Sequence, residues 1–294
     1  MKKYTIIKKL AAALGVFVLV MAAYFLIARP YQLRWGATDE EVNRPMPGDE
    51  LDAHPTFLAT RAITIDAAPK DIWPWLLQMG YSHAGFYGYD ILENIGSPRG
   101  MRSATTIVPE LQNFKVGDAV PLSAAGGLVF YAIEPERYLI WSDAASQGSF
   151  NWALYPIDAG HTRLVSRILW THHWQQAGPL AFDIFTEFTD HLAVRKILEG
   201  VKGRVEGHIE PMAVGTAEFF IYLASAIIFL IALILILIRP LTWRGVRLGL
   251  AAGVAWLVTW YAPVPIWFGV ILEMAILWGL FARVSAQPEN AGER

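Results

Sequence analysis

Hydrophobic and polar positions divide the chain into a soluble middle and several strongly apolar segments. An α-helix needs about 20 predominantly apolar residues to cross the hydrocarbon core of a bilayer. Two segments reach about that length, and two shorter ones follow each other closely near the C-terminus. We therefore expect four transmembrane helices and then a polar tail. The helices are expected at 10–28, 216–238, 246–261 and 265–282, and the tail at 283–294.

The first apolar segment has an alternative interpretation as a cleaved signal peptide. The apolar region of a signal peptide spans about 7–15 residues and ends in a small-x-small cleavage site. Residues 10–28 form a longer run. The best candidate cleavage sites near its end place Met21 or Leu26 where a small residue belongs. The pattern therefore favours an uncleaved anchor.

Positive charges predict the orientation of these helices, because short loops rich in Lys and Arg stay in the cytoplasm. Both termini should therefore be cytoplasmic, and the soluble middle should lie outside the cytoplasm. The chain is thus expected to be an integral protein of the cell membrane. The charges are Lys2, Lys3, Lys8 and Lys9 before the first apolar segment, and Arg239, Arg244 and Arg247 after the second.

The soluble middle begins with a lead-in segment, 29–56, in which Thr38 and Glu41 form a T-x-x-E capping box for a short helix. Beyond it, runs of β-branched and aromatic residues bounded by turn signals predict strands. Their short connections favour antiparallel pairing in a meander. Strands are expected at 57–65, 105–108, 118–122, 128–134, 138–142, 150–157 and 162–172.

A long helix, 181–205, ends the soluble middle. Apolar residues such as Phe185, Leu192 and Leu198 recur there at mostly three- and four-residue steps, so one helix face should pack against the sheet. Two shorter helices are expected between the first strand and the second. This order of elements predicts an α+β domain over 57–206.

Three motifs give this domain a resemblance to a known family. They are DAAPKDIWPWLLQMG at 66–80, GFYGYDILENI at 85–95 and VPELQNFKVGDAVPL at 108–122. With the element order, they resemble the SRPBCC superfamily, which includes START, polyketide-cyclase and birch-pollen-allergen-like domains. The resemblance implies a helix-grip fold, in which a seven-stranded antiparallel sheet wraps around the long C-terminal helix. It also implies an apolar cavity between sheet and helix that takes a lipid or another apolar small molecule.

Strand alternation indicates which side chains should line such a cavity. In 162–172, Arg163 and Arg167 share one face, and arginines rarely face a core, so Trp170 and His172 should face the helix. The alternative is that the aromatic residues simply fill a core. The predicted ligand-binding residues are Tyr87, Tyr89, Trp141, Trp152, Trp170, His172, Phe182 and Phe185.

Composition restricts the possible functions further. A hydrophobic fraction of 54% and a mean hydropathy of +0.35 are typical of a membrane protein. The net charge of −2 gives no reason to expect a nucleic-acid partner, and the absence of cysteine excludes disulfides and thiolate metal sites. His172 and His173 are adjacent on a predicted strand and point to opposite faces, so we expect no metal and no cofactor.

Asp90 and Glu93 lie three residues apart on a predicted helix, where paired carboxylates can act as acid and base if burial separates their pKa values. The favoured alternative is an acid that complements the helix dipole beside a solvated glutamate. No catalytic residue is therefore assigned. An enzyme of the cyclase or hydrolase type would need two groups among Asp90, Glu93 and His172 at one pocket.

The apolar C-terminal region has two further features. Gly245, Gly249 and Gly253 are four residues apart, a small-xxx-small pattern that allows close helix contact within the chain or self-association between copies. Glu273 lies inside the last apolar segment, where it is either a functional group or a neutral carboxyl hydrogen-bonded to a neighbouring helix.

The leading hypothesis is a membrane-anchored domain that binds, transfers or senses an apolar small molecule or lipid. The first alternative is an enzyme acting on an apolar substrate, and the second is a structural or signalling membrane protein without a ligand.

The predicted topology can be tested with alkaline phosphatase fusions. A fusion near residue 120 should be active, and a fusion near residue 243 should be inactive, because only the first position is expected outside the cytoplasm. The reverse pattern of activities would overturn the orientation.

Overall fold

The structure, a computed structural model, describes residues 2–94, 102–123, 126–142 and 148–282. The described chain separates into two compact units. Residues 29–219 form one unit, and the residues before and after them form the other. The predicted polar tail, 283–294, and the side chain of Glu93 lie outside the described residues.

The 29–219 unit is built on one antiparallel sheet, which confirms the α+β class. Six strands are described, in the order β1-β6-β5-β4-β3-β2, so that β2 to β6 form a meander and β1 closes against the last strand. The pairing of β1 with β6 is unbroken from Phe57–Trp170 to Ile65–Thr162. The strands are β1 (Phe57–Ile65), β2 (Ala119–Ser123), β3 (Gly126–Glu134), β4 (Tyr138–Ser142), β5 (Gly148–Pro156) and β6 (Thr162–Trp170).

The prediction of seven strands was wrong, because 105–108 does not join the sheet. The side chain of Gln78 takes the hydrogen bonds that a neighbouring strand would make there. Its Oε1 accepts from the Val108 amide at 2.9 Å, and its Nε2 donates to the Thr106 carbonyl at 3.3 Å. A 3₁₀ turn at Pro109–Leu111 follows directly.

Helices flank the sheet and both ends of the unit. The capping box at Thr38 is confirmed, since the Thr38 amide donates to the Glu41 carboxylate at 2.8 Å and the Thr38 hydroxyl accepts from the Glu41 amide at 3.2 Å. The helices described in this unit are α2 (Arg29–Gln32), α3 (Asp39–Asn43), α4 (Pro69–Leu77), α5 (Asp90–Glu93), α6 (Ala177–Val205) and the start of α7 (Met212–Ile238).

The long helix α6 packs on one face of the sheet. Val194, Leu198 and Val201 are buried in one core with Leu164 and Ile168 of β6. The helix starts four residues before the predicted 181, because Pro179 falls in its first turn, where proline is tolerated.

The face of α6 that packs inward is less apolar than its spacing predicts. The helix buries charged or titratable side chains that an amphipathic helix would leave in solvent. Each of these groups therefore needs a partner inside the protein. They are Asp183, Glu187, Asp190, His191 and Lys196.

The opposite face of the sheet is covered by the lead-in segment. Arg163 donates to the Glu41 carboxylate at 2.7 Å, and Arg167, only 2% exposed, donates to Asp49 at 2.7 Å. Met46 packs there with Val165 in a second apolar cluster. The two arginines thus point away from α6, as predicted, but they are held beneath the lead-in rather than in solvent.

The second unit consists of apolar helices. Among the described residues, two helices are long and apolar enough to cross a membrane, at Tyr4–Gln32 and Met212–Ile238. The prediction of four spans is not supported. The helix α8 (Trp243–Tyr261) carries two arginines and is less apolar, and α9 (Ile266–Phe281) has 16 residues, about 24 Å, which is short of a bilayer core.

Two of the three spaced glycines lie at close contacts within this unit. A Cβ on Gly249 would come within 2.9 Å of Ile236, and one on Gly253 within 2.3 Å of Val20. Gly249 and Gly253 therefore let α8 approach α1 (Lys2–Ala23) and α7. Self-association through this surface stays a prediction. Glu273 is buried in α9.

Gly200 sets how closely α6 approaches the loop that contains Tyr87. A Cβ at Gly200 would lie 2.0 Å from the Tyr87 carbonyl oxygen, whereas one at Gly178 of the same helix would meet nothing within 4 Å. Gly200→Ala should therefore lower the free energy of unfolding by about 1–3 kcal/mol, because backbone must shift to admit the methyl group. Gly178→Ala, the matched control, should change it by less than about 1 kcal/mol. Thermal unfolding followed by circular dichroism measures both, and equal stability of the two variants would contradict this packing.

Candidate functional site

A cavity of about 510 Å³ lies within the 29–219 unit, between the sheet and α6. We call it the aromatic cavity, because tryptophan, phenylalanine and tyrosine side chains make up much of its wall. Three polar side chains, Ser123, Thr186 and Asp190, also reach it. The remaining lining residues are Phe86, Gly88, Tyr89, Leu92, Leu122, Trp141, Phe150, Trp152, Phe182, Phe185, Ala193, Val194 and Ile197.

Two periodicities bring these residues to one space. Phe150 and Trp152 alternate along β5 and thus share a face, and Trp141 lies opposite Phe150 on β4. On α6, the lining residues recur at steps of one, three and four, which marks one helix face. The cavity is therefore the gap between one sheet face and one helix face.

Trp141 and Trp152 form the inner wall. Their ring centroids are 5.6 Å apart in an edge-to-face arrangement, and each side chain is only 1% exposed. Phe86 meets Trp141 at 6.2 Å in the same geometry. Contacts of this kind contribute roughly 0.5–1.5 kcal/mol beyond the burial of the rings, so they stabilise the inner wall.

Phe182 and Phe185 form the outer rim. They are 47% and 41% exposed although they line the cavity. Large exposed aromatic side chains at a cavity entrance are typical of a surface that is covered when something binds.

The structure brings most of the predicted site residues together. Tyr89, Trp141, Trp152, Phe182 and Phe185 all line the aromatic cavity. Tyr87, Trp170 and His172 do not.

Other side chains hold Trp170, the last residue of β6, and His172 away from the cavity lining. The Trp170 indole N–H donates to Asp183 at 3.1 Å, and its ring packs against Phe182 at 5.1 Å. His172 lies beyond the strand, where alternation no longer applies. Its Nδ1 is 3.1 Å from the Thr56 hydroxyl.

Tyr87 lies at a second cavity of about 410 Å³, which we call the polar cavity. The Tyr87 hydroxyl donates to the Trp75 carbonyl at 3.0 Å.

Asp90 also lines the polar cavity and accepts from the Ser103 hydroxyl at 2.6 Å, so Asp90 and His172 do not converge on one pocket. Lys196, at the same cavity, donates to Glu210 at 2.6 Å and is thereby neutralised.

An ion pair behind the aromatic cavity was missed by the sequence analysis. Arg61 of β1 donates through Nη1 to Oδ2 of Asp190 at 2.5 Å, and the two side chains are 0% and 8% exposed. Arg61 also donates to the Gln32 carbonyl at 2.8 Å. The sequence did contain an indication that Arg61 is buried. Alternation in β1 places Arg61 on the same face as the core residues Phe57 and Ile65. Burial raises the pKa of Asp190, and Arg61 opposes that rise.

A second ion pair lies one helical turn away. Arg29 donates to Glu187 at 2.6 Å, and Nε2 of His172 is 3.9 Å from the same carboxylate. Burial lowers the pKa of His172 although Glu187 opposes it, and burial also lowers the pKa of His191, with Arg61 adding to the effect. Both shifts favour the neutral form of the histidine.

In the part of the chain that the structure describes, no three His, Asp or Glu side chains are grouped so as to hold a metal ion.

No family model matches the sequence, and no curated protein matches it. Solved structures with some similarity include CalC, a self-sacrificing resistance protein from Micromonospora echinospora, at 13% identity and a TM-score of 0.32 over 51% of this chain and 94% of that one. The Polyketide_cyc-like protein Cgl2372 from Corynebacterium glutamicum has 14% identity and a TM-score of 0.25 over 56% and 93%. The KanY protein has 14% identity and a TM-score of 0.29, over 51% of this chain and 97% of that one. Similarities at this level support no conclusion about this chain, whose class rests on its own strands and helices.

Removal of Arg61 should leave a buried carboxylate without its partner. Arg61→Leu is therefore expected to lower the free energy of unfolding by about 3–5 kcal/mol, and the double variant Arg61→Leu/Asp190→Leu should regain most of that loss. Arg137→Leu breaks an exposed pair with Glu134 and should cost less than about 1 kcal/mol. Thermal unfolding of the full chain in one detergent measures all three. A double variant no more stable than Arg61→Leu would show that the ion pair is not the cause.

Proposed function

We propose that the 29–219 unit is a helix-grip-type domain that binds an apolar small molecule or lipid in the aromatic cavity. We also propose that the two long apolar helices, Tyr4–Gln32 and Met212–Ile238, tether this domain to a lipid bilayer at both of its ends. The domain then lies outside the cytoplasm of an integral membrane protein, as its flanking charges predict.

The aromatic cavity carries the first part of this proposal. Its volume of about 510 Å³ falls within the usual range of small-molecule sites, and such sites combine apolar walls with a few polar groups. A ligand that buries about 300 Å² of apolar surface there would gain roughly 7 kcal/mol before entropic costs. That is sufficient for useful affinity without a charged anchor.

The polar cavity is a weaker candidate for the same role. Lys196 at its wall already forms ion pairs with Glu210 and Glu218. A ligand would have to replace these ion pairs, whereas a ligand of the aromatic cavity replaces only water.

The membrane tether is supported by length and composition. The two helices have 29 and 27 residues, and the 29–219 unit lies between their apolar parts in the sequence. At 1.5 Å per residue each exceeds the thickness of a bilayer core. This part of the proposal requires only these two helices.

Filling the aromatic cavity should abolish binding. Ala193→Trp places an indole inside the cavity, and Ala181→Trp places the same group on an exposed position of the same helix. The purified full chain in lipid nanodiscs should yield a bound apolar species on solvent extraction and mass spectrometry, beyond the background of empty nanodiscs. Ala193→Trp should lower the yield at least about tenfold, because the ligand's contact area is lost. Ala181→Trp should leave it unchanged.

Equal yields from Ala193→Trp and the native chain, with both folded by circular dichroism, would rule out the aromatic cavity as the binding site.

A further inference from the structure

Two polar side chains on α6 interrupt the apolar wall of the aromatic cavity. Thr186 and Asp190 are four residues apart, so their side chains are neighbours on one helix face, about 5–6 Å apart at Cβ. Both line the cavity, and both are less than one tenth exposed. Buried polar groups ordinarily have hydrogen-bond partners.

Thr186 and Asp190 do not use their full hydrogen-bonding capacity within the protein. Asp190 uses Oδ2 to accept from Arg61 at 2.5 Å. Among the described residues, Oδ1 of Asp190 accepts no hydrogen bond, and the Thr186 hydroxyl makes none. The cavity therefore presents one acceptor oxygen and one hydroxyl, side by side, to whatever occupies it.

Arginines of the protein neutralise the carboxylates near Thr186 and Asp190. Arg61 neutralises Asp190 from behind, and it is 0% exposed and directs its other donors to Gln32. Arg29 neutralises Glu187 in the same way. The cavity thus offers an acceptor without a net charge, and Arg61 is not among the side chains that line it.

We propose that the ligand is a neutral, mostly apolar molecule with a hydroxyl group, which donates its proton to Oδ1 of Asp190 and accepts from the Thr186 hydroxyl. This inference rests on the proposed function of the aromatic cavity. A hydroxyl satisfies both groups at once, because it is a donor and an acceptor. A carboxylate ligand is disfavoured, since it would lie beside the Asp190 carboxylate without a cation from the protein.

Three probes with the same ring system test this assignment. They are 2-naphthol, its methyl ether 2-methoxynaphthalene, and 2-naphthoate, each titrated calorimetrically into the full chain in lipid nanodiscs, with empty nanodiscs subtracted. The native chain should bind 2-naphthol at least about tenfold more tightly than the ether, because only the phenol can donate to a carboxylate. The naphthoate should bind no better than the ether.

Variants on α6 locate the effect. Asp190→Asn keeps the size but turns an N–H toward the cavity when its oxygen stays on Arg61, so the preference for 2-naphthol should fall to within about twofold. Thr186→Val should weaken 2-naphthol binding, because the phenol oxygen loses the hydroxyl group that donates to it. Asp183→Asn is the matched control, because Asp183 is a buried carboxylate of the same helix that binds Trp170 and His173 and does not line the cavity. It should keep the native preference.

The outcomes separate this inference from the function on which it rests. Binding of 2-naphthol and its ether with equal affinity, or tightest binding of the naphthoate, would overturn the hydroxyl assignment and leave the cavity as an apolar binding site. Absence of binding for all three probes to a folded chain would overturn both. If Asp190→Asn unfolds, the comparison of Thr186→Val with Asp183→Asn decides, and an unchanged affinity of Thr186→Val for 2-naphthol would contradict the proposal.

Discussion

The buried ion pair between Arg61 and Asp190 connects the first strand of the sheet to its last helix, across 129 residues of sequence. Such a pair usually costs about as much in lost hydration as it returns in attraction, so stability alone does not explain it. Its geometric effect is clearer. The guanidinium, fixed also by the Gln32 carbonyl and side chain, holds one oxygen of Asp190 and leaves the other at the cavity wall. This one contact thus links the position of α6 over the sheet to the polarity of the cavity.

The lead-in segment, 29–56, has a larger role than a connection from the first helix to the sheet. Glu41 and Asp49 bind Arg163 and Arg167 on the face of the sheet opposite α6, and Arg29 binds Glu187 on the helix itself. An antiparallel sheet can leave one of its faces in water. Here α6 covers one face and the lead-in covers the other, so residues 29–56 belong to the folded unit.

The aromatic cavity and the polar cavity differ in what they offer a ligand. In the polar cavity, Lys196, Asp90 and Arg204 already have partners within the protein. The aromatic cavity has walls of packed aromatic rings and a small polar spot at Thr186 and Asp190. Apolar walls supply affinity, whereas a polar spot selects among ligands of similar size. For this reason, the proposed preference for a hydroxyl-bearing ligand is assigned to Thr186 and Asp190 of α6.

Periodicity in the sequence determined the α+β class, the meander, and the placement of Trp141, Trp152, Phe182 and Phe185, because alternation and helical spacing are local properties that burial imposes on every element. The capping box at Thr38 is local in the same sense. Tertiary structure alone decided the rest. Gln78 withholds 105–108 from the sheet, Asp183 captures Trp170, and Arg61 lies inside the core because Asp190 meets it there. Each of these is a hydrogen bond between distant or unpatterned positions, and a one-dimensional pattern of apolar and polar residues does not encode which polar groups will face each other.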